Sequence, residues 1–97
     1  RVFTPGEISL FESSGKKIDT IAGRFAAKEA ILKSLGCGLC DLPLTGIELL
    51  RAPTGQPTVS LAGAAHERAQ TLGVSRIHIS ISHDGGFAIA QAIAEGD

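Results

Sequence analysis

Glu29 and Lys33 are two residues of this sequence that are spaced for chemistry within one helix. They lie in the run 24–36, which is rich in Ala, Leu, Lys and Glu, contains no Pro and ends in Gly, as helices commonly do. At about 100° per residue, Glu29 falls on the same face as four apolar side chains, which are Ala22, Phe25, Ala26 and Leu32. We therefore expect the Glu29 carboxylate to point toward the packed side of the helix.

A carboxylate on a packed face needs a partner, because burying an ionised carboxylate alone costs on the order of several kcal/mol. Lys33 follows Glu29 at i+4, which is the favourable order for an ordinary helix ion pair. The same two residues also suit a ligand site, in which Glu29 binds a hard cation through oxygen and Lys33 meets a phosphate as a point charge. The two residues alone leave both interpretations open.

His83 is the second candidate. Three Ile side chains alternate with polar residues over 76–83, and the turn at Asp84, Gly85 and Gly86 leads into the small-residue run 87–94. This pattern predicts an antiparallel hairpin with His83 at its mouth. A histidine there can be a simple turn residue, or it can meet a phosphate or a metal-bound ligand.

Two glycines and two cysteines follow the predicted long helix. Gly36 and Gly38 leave a backbone that can approach a ligand closely and turn its amides toward an anion. Cys37 and Cys40 have the C-x-x-C spacing of redox dithiols, but such dithiols usually begin a helix, where the helix dipole lowers the thiol pKa. One pair of cysteines also cannot fill a four-ligand zinc site.

Composition limits the function classes. The chain has 97 residues, of which 43% are hydrophobic, so we expect a single domain spanning 1–97 with a modest core. Its formal net charge of -1 argues against general nucleic-acid binding. It contains no apolar run long enough for a membrane span and no visible signal peptide, so we expect a cytoplasmic protein that does not bind membranes.

The remaining elements complete an α+β fold. Thr4, Pro5 and Glu7 form a capping box that starts a helix reaching about Ser13. A cap at Asp19 or Thr20 starts the long helix. Three further elements are predicted, which are strands at 46–51 and 57–61 and a helix at 62–72. We expect the long helix to pack across a small antiparallel sheet whose hairpin ends at His83.

Taken together, the motifs resemble those of holo-[acyl carrier protein] synthases, the small bacterial-type 4'-phosphopantetheinyl transferases. The resemblance runs along nearly the whole chain, and its specificity comes from the joint spacing of motifs that are weak individually. The matching residues are Phe3-Thr4 with Glu7, 24–30 with Lys33, the turn 36–38, the run 55–57, and 79–84 with the alternating strand after it.

The resemblance implies an enzyme that moves the 4'-phosphopantetheine arm of coenzyme A onto a serine of apo-acyl carrier protein, for fatty acid biosynthesis. It implies Mg²⁺ at the pyrophosphate, with Glu29 as the metal ligand, Lys33 near the phosphates and His83 as the histidine of a Ser-His motif. Arg24 and the turn from Gly36 to Gly38 match positions expected near coenzyme A phosphates. The family forms trimers with active sites at subunit boundaries, so we expect a homotrimer.

One departure from the family pattern concerns the metal. The family opens with a strand carrying Gly-Ile-Asp, whose aspartate is a second metal ligand, and this sequence contains no such strand. We interpret this as an N-terminal segment missing before Arg1, without which the chain should bind metal poorly and be inactive. Asp41 and Asp84 are the available substitutes, and neither matches the family position.

Two other classes stay open. A non-catalytic domain that binds coenzyme A or a carrier protein would keep the fold while lacking the aspartate. A redox protein would use Cys37 and Cys40, and it would show a reversible disulfide and a lowered thiol pKa.

Overall fold

The computed structural model describes residues 2–38 and 41–96. It contains three helices and four strands, whose bounds are α1 Pro5–Ser13, α2 Lys17–Ser34, β1 Ile47–Arg51, β2 Pro57–Leu61, α3 Gly63–Leu72, β3 Val74–Asp84 and β4 Phe87–Gly96, with a 3-10 turn at Leu44–Gly46. The predicted α+β class, with a long helix packed on a small antiparallel sheet, is confirmed.

Helix α1 begins at the predicted capping box. The Thr4 hydroxyl accepts the Glu7 amide at 3.2 Å, and Glu7 Oε1 accepts the Thr4 amide at 2.8 Å. Pro5 occupies the first helical position, where the N–H that proline lacks would have no hydrogen-bond acceptor within the helix. The helix ends at Ser13, as expected.

Helix α2 begins earlier than predicted. Thr20 lies inside the helix, where its hydroxyl donates to the Lys16 carbonyl one turn back at 3.0 Å, so it does not cap the N-terminus. Lys16 makes no side-chain cap, and its amide instead donates to the Ser14 hydroxyl at 3.1 Å. The cap predicted at Asp19 or Thr20 was therefore wrong by about one turn.

The buried face of α2 is not the predicted one. Ala22 and Phe25 are exposed, and Ala26 and Glu29 are half-buried, so only Leu32 of the expected set is buried. The buried residues are Thr20, Gly23, Arg24, Ala27, Lys28, Ile31 and Leu32. The prediction failed because it followed the apolar residues alone, whereas the cations Arg24 and Lys28 are both buried.

The hairpin of β3 and β4 forms one side of the molecule and packs on α2. The strands pair antiparallel from Val74↔Gly96 to Asp84↔Phe87, and Gly85 and Gly86 form the connection with φ of 55° and 82°. Positive φ at both positions is the requirement of a two-residue type I′ turn. The alternation predicted for β3 is confirmed, since its three Ile side chains are half-buried and the intervening polar ones are exposed.

The main core lies between α2, α3 and the separate β1–β2 sheet. Its members are Ala27, Ile31, Leu32, Leu35, Leu44, Ile47, Leu49, Ala65 and Ala69. Ile77, Ile79 and Ile81 pack against this cluster from β3, so the hairpin and the smaller sheet share one core. Across 2–38 and 41–96, no helix is long and apolar enough to cross a membrane.

Candidate active site

Arg24 is a buried cation with an unsatisfied donor. Its side chain is 5% exposed, and within the described residues Nε has no hydrogen-bond partner. Burial lowers the pKa of Arg24, and the neighbouring charge of Arg51 lowers it further, while the charge of Glu7 opposes the shift. Because a buried unpaired donor costs about 1–3 kcal/mol, this guanidinium is poised to receive an acceptor from outside the described residues.

His83 is seated directly against α2. Its Nε2 lies 2.8 Å from the Asp19 carbonyl oxygen. A carbonyl can only accept, so Nε2 carries the proton. The contact uses the space at Gly23, where a Cβ atom would lie 3.0 Å from His83 Nε2.

A basic cleft opens beside His83. It has a volume of about 380 Å³ and lies between the α1–α2 loop, the end of β1 and the end of β3. Lys16 and Arg51 contribute cations to its lining, and Asp19 contributes the opposing carboxylate. A second cleft of about 210 Å³ lies between Asp19, His83 and the hairpin turn. The excess of cations in the larger cleft suits an anionic ligand.

Glu29 and Lys33 do not form the helix ion pair that was one of the two interpretations of their spacing. Glu29 is half-buried and Lys33 is exposed, and no hydrogen bond or ion pair joins either side chain to another described residue. Glu29 also lies about 9 Å further along the helix axis than Gly23, the residue that His83 contacts. His83 therefore contacts the N-terminal half of α2, at Asp19 and Gly23, whereas Glu29 and Lys33 lie in its C-terminal half.

Glu29 offers one oxygen ligand to a metal ion. Within 2–38 and 41–96, no group of three or more His, Cys, Asp or Glu side chains could hold a metal. Mg²⁺ needs few protein ligands, because it commonly binds through one or two carboxylates, water and substrate phosphates. The Glu29 carboxylate, which has no partner among the described residues, fits that ligand chemistry.

The Gly36–Gly38 turn uses its amides internally. Gly36 has φ of 72°, and its amide donates to the Lys33 carbonyl at 3.0 Å in the helix cap. The Gly38 amide donates to Asp41 Oδ2 at 2.6 Å. The assignment of this turn to a coenzyme A phosphate stays a prediction, and it would require Asp41 to leave the Gly38 amide.

The cysteine motif is only partly described. Cys37 is half-buried, with Sγ 3.6 Å from the Leu35 carbonyl oxygen, and Cys40 lies outside the described residues. Nothing in this geometry gives the Cys37 thiol a cationic partner.

Comparison with known proteins identifies the family. The model of the 4'-phosphopantetheinyl transferase superfamily matches residues 1–92. The holo-[acyl-carrier-protein] synthase of Clostridium tetani is 46% identical over 97 residues, which is 100% of this chain and 77% of the relative. The chain belongs to the holo-[acyl-carrier-protein] synthase family of phosphopantetheinyl transferases.

Solved structures of this family have the same fold. The Neisseria meningitidis synthase superposes with a TM-score of 0.88 at 31% identity, covering 98% of this chain and 77% of that one. The Helicobacter pylori synthase, solved in complex with coenzyme A, gives 0.83 at 34% identity, covering 98% and 78%. The predicted resemblance is confirmed. Because the family consists of phosphopantetheinyl transferases, its members are enzymes.

The sequence analysis missed the buried ion pair at the centre of the transferase. Lys28 Nζ lies 2.7 Å from Glu7 Oε1 and also donates to the carbonyls of Val2 and Leu44, at 2.7 and 2.9 Å. Burial lowers the pKa of Lys28, and its hydrogen bond to Glu7 opposes that shift. The sequence did contain a signal for it: residues 24, 28, 31 and 35 have the spacing of side chains that share one face of a helix, and that face is the buried one.

Proposed function

We propose that the protein transfers the 4'-phosphopantetheine group of coenzyme A to a serine of apo-acyl carrier protein. The observation that carries this proposal is the match of the whole chain to proteins named holo-[acyl-carrier-protein] synthase, together with the fit of its fold to a member solved with coenzyme A. Fatty acid biosynthesis is the pathway that the resemblance implies, and a cytoplasmic location stays part of the proposal.

The basic cleft supports coenzyme A as the donor. Coenzyme A carries a pyrophosphate and a 3'-phosphate. Lys16 and Arg51 line the cleft, and the charge of Arg24 interacts with that of Arg51. Phosphate oxygens would also satisfy the Arg24 Nε that is otherwise unpaired within the described residues. We therefore assign the phosphates of coenzyme A to this end of α2, with His83 as a further polar contact.

The reaction breaks one P–O bond and forms another. The serine oxygen of the carrier protein attacks the phosphorus next to pantetheine, and adenosine 3',5'-bisphosphate leaves with the bridging oxygen and the negative charge. Phosphoryl transfer depends mainly on positioning and charge neutralisation. Because Lys33 and Glu29 lie in the other half of α2, they would reach these phosphates from a neighbouring subunit. There Lys33 would contribute a cation, and the serine proton would leave to Glu29 or to a water molecule.

Glu29 is the residue that we assign to Mg²⁺. When bound, Mg²⁺ would neutralise the pyrophosphate and orient it for displacement. A carboxylate that is half-buried and has no partner among the described residues is available for this role without breaking an existing ion pair.

An exposed apolar face supports a homotrimer. Phe87, Ile89 and Ile93 point outward from β4 with exposures of 74%, 57% and 65%. Side chains of this size are rarely left in water as a contiguous strip on a monomer. A site at a subunit boundary would also explain why, within one chain, Glu29 lies further along α2 than the residues that His83 contacts.

The decisive experiment is a loading assay. The full-length protein, including any residues that precede Arg1, is incubated with coenzyme A, Mg²⁺ and apo-acyl carrier protein, and the mass of the carrier protein is measured by mass spectrometry. We expect a gain of one phosphopantetheine group, absent when the acceptor serine is Ala or when EDTA removes the metal. Coenzyme A binding without any loading would instead support a non-catalytic coenzyme A or carrier-protein binding domain.

A further inference from the structure

Gly23 is an unusual residue for the interior of a helix. It lies in the second turn of α2 and is buried, and glycine is among the poorest helix formers. Its φ is not positive, so the conformational freedom of glycine is not what this position uses. The useful property is therefore the absence of a side chain.

The absent side chain exposes one backbone carbonyl. A helical side chain leans toward the N-terminus and covers the turn before its own Cα, so any residue at position 23 would cover the carbonyl of Asp19. That carbonyl accepts the His83 Nε2 proton at 2.8 Å. A Cβ at Gly23 would lie 3.0 Å from Nε2 and 3.2 Å from Cε1 of the same ring.

The hydrogen bond fixes which ring nitrogen is free. With Nε2 donating to Asp19, Nδ1 is the nitrogen left to contact a ligand, and it has no hydrogen bond within the part of the chain that the structure describes. His83 also lines both clefts at this end of α2. The partner of Nε2 is thus a backbone carbonyl of α2, and α2 is held in place by the core.

We propose that Gly23 is a positioning residue: it opens the Asp19 carbonyl to His83, which holds the imidazole as the Nε2–H form. Nδ1 is then an acceptor, and it is presented to a hydroxyl, amide or amino donor of coenzyme A rather than to a phosphate. The inference rests on the proposed function, because that function supplies the substrate that Nδ1 meets. Gly23 acts only through His83 and touches no reacting atom.

The first test is spectroscopic and does not depend on turnover. Long-range ¹⁵N–¹H correlation spectra of ¹⁵N-histidine-labelled protein report which ring nitrogen of His83 carries the proton. We expect the Nε2–H form in the native protein and a change at Nδ1 when coenzyme A is added. In Gly23→Ala, we expect a mixture of tautomers, although the helix itself should tolerate Ala well. An unchanged tautomer in that variant would overturn the inference.

The second test is a kinetic double-mutant cycle. Gly23→Ala should raise the KM for coenzyme A about tenfold, the scale of one lost hydrogen bond, while His83→Ala should do the same alone. The added methyl should have no further effect in the His83→Ala background. Additive effects would contradict the inference, because they would mean that the methyl acts through its 3.0 Å contact with Ile81. Unchanged kinetics for His83→Ala alone would instead remove His83 from the proposed function.

Discussion

The ammonium of Lys28 and the carboxylate of Glu7 lie 2.7 Å apart, and neither side chain has any exposed surface. Glu7 also accepts the amides of Thr4 and Leu49, at 2.8 and 2.9 Å, so this single carboxylate joins α1, α2 and β1. Phe3 adds its ring 5.3 Å from the Lys28 ammonium. The ion pair therefore fixes the rotation of α2, the helix that carries Arg24, Glu29 and Lys33.

Removing one member of this ion pair should lower the free energy of unfolding substantially. Lys28→Met leaves the Glu7 carboxylate buried without its cation, so we expect a loss of about 3–5 kcal/mol in the free energy of unfolding, measured by urea denaturation. Lys33→Met is the matched control, because Lys33 is exposed and should change stability by no more than about 0.5 kcal/mol. Equal effects of the two variants would contradict the assigned role of Lys28.

Arg24 should behave in the opposite way. Arg24→Met removes a buried cation that has an unsatisfied Nε, so we expect stability to stay level or to rise by about 1 kcal/mol. The same variant should weaken coenzyme A binding at least about tenfold, because phosphate loses a charged donor. Thermal unfolding and titration calorimetry measure the two effects. A variant that is less stable but binds coenzyme A normally would show that Arg24 is structural.

The apolar strip on β4 should control assembly. Replacing Phe87 and Ile93 together with Ser should convert a trimer to monomers, as measured by light scattering after gel filtration, because the interface loses its apolar area. Ile8→Ser is the control, since Ile8 is 48% exposed but lies on α1 rather than on β4. A native protein that is already monomeric at assay concentration would refute the homotrimer.

The cysteines should be dispensable for transfer. Changing Cys37 and Cys40 together to Ser should alter the loading rate by less than about twofold, since neither has a proposed role in phosphoryl transfer. Loss of activity in this variant, or loss on oxidation that a reductant restores, would favour the redox class.

Local patterns predicted most of the fold. The Thr4–Glu7 capping box, the alternation of Ile77, Ile79 and Ile81 and the Gly85-Gly86 turn are read directly from neighbouring residues, because each depends on interactions within a few positions of the chain.

Contacts between residues that are far apart in the chain could not be predicted from the sequence. Hydrophobic periodicity did not predict that Lys28 is buried, because the partner that permits its burial is Glu7, on another helix. The contact of His83 with Gly23 was not predicted for the same reason. The two residues are sixty positions apart, and they meet only when the hairpin packs on α2. The family resemblance named Glu29 and His83, but only coordinates show that they lie at different levels of α2.

Glu29 is the residue on which the proposed Mg²⁺-dependent transfer from coenzyme A to the carrier protein depends, and one comparison of variants tests this role most directly. In the full-length protein, including any residues that precede Arg1, Glu29→Gln and the control Glu67→Gln, an exposed glutamate on α3, are assayed for loading of apo-acyl carrier protein across a Mg²⁺ titration. We predict that Glu29→Gln loses at least about 100-fold in loading rate while folding normally, and that Glu67→Gln matches the native protein. A Glu29→Gln variant that loads the carrier protein at the native rate would contradict the account.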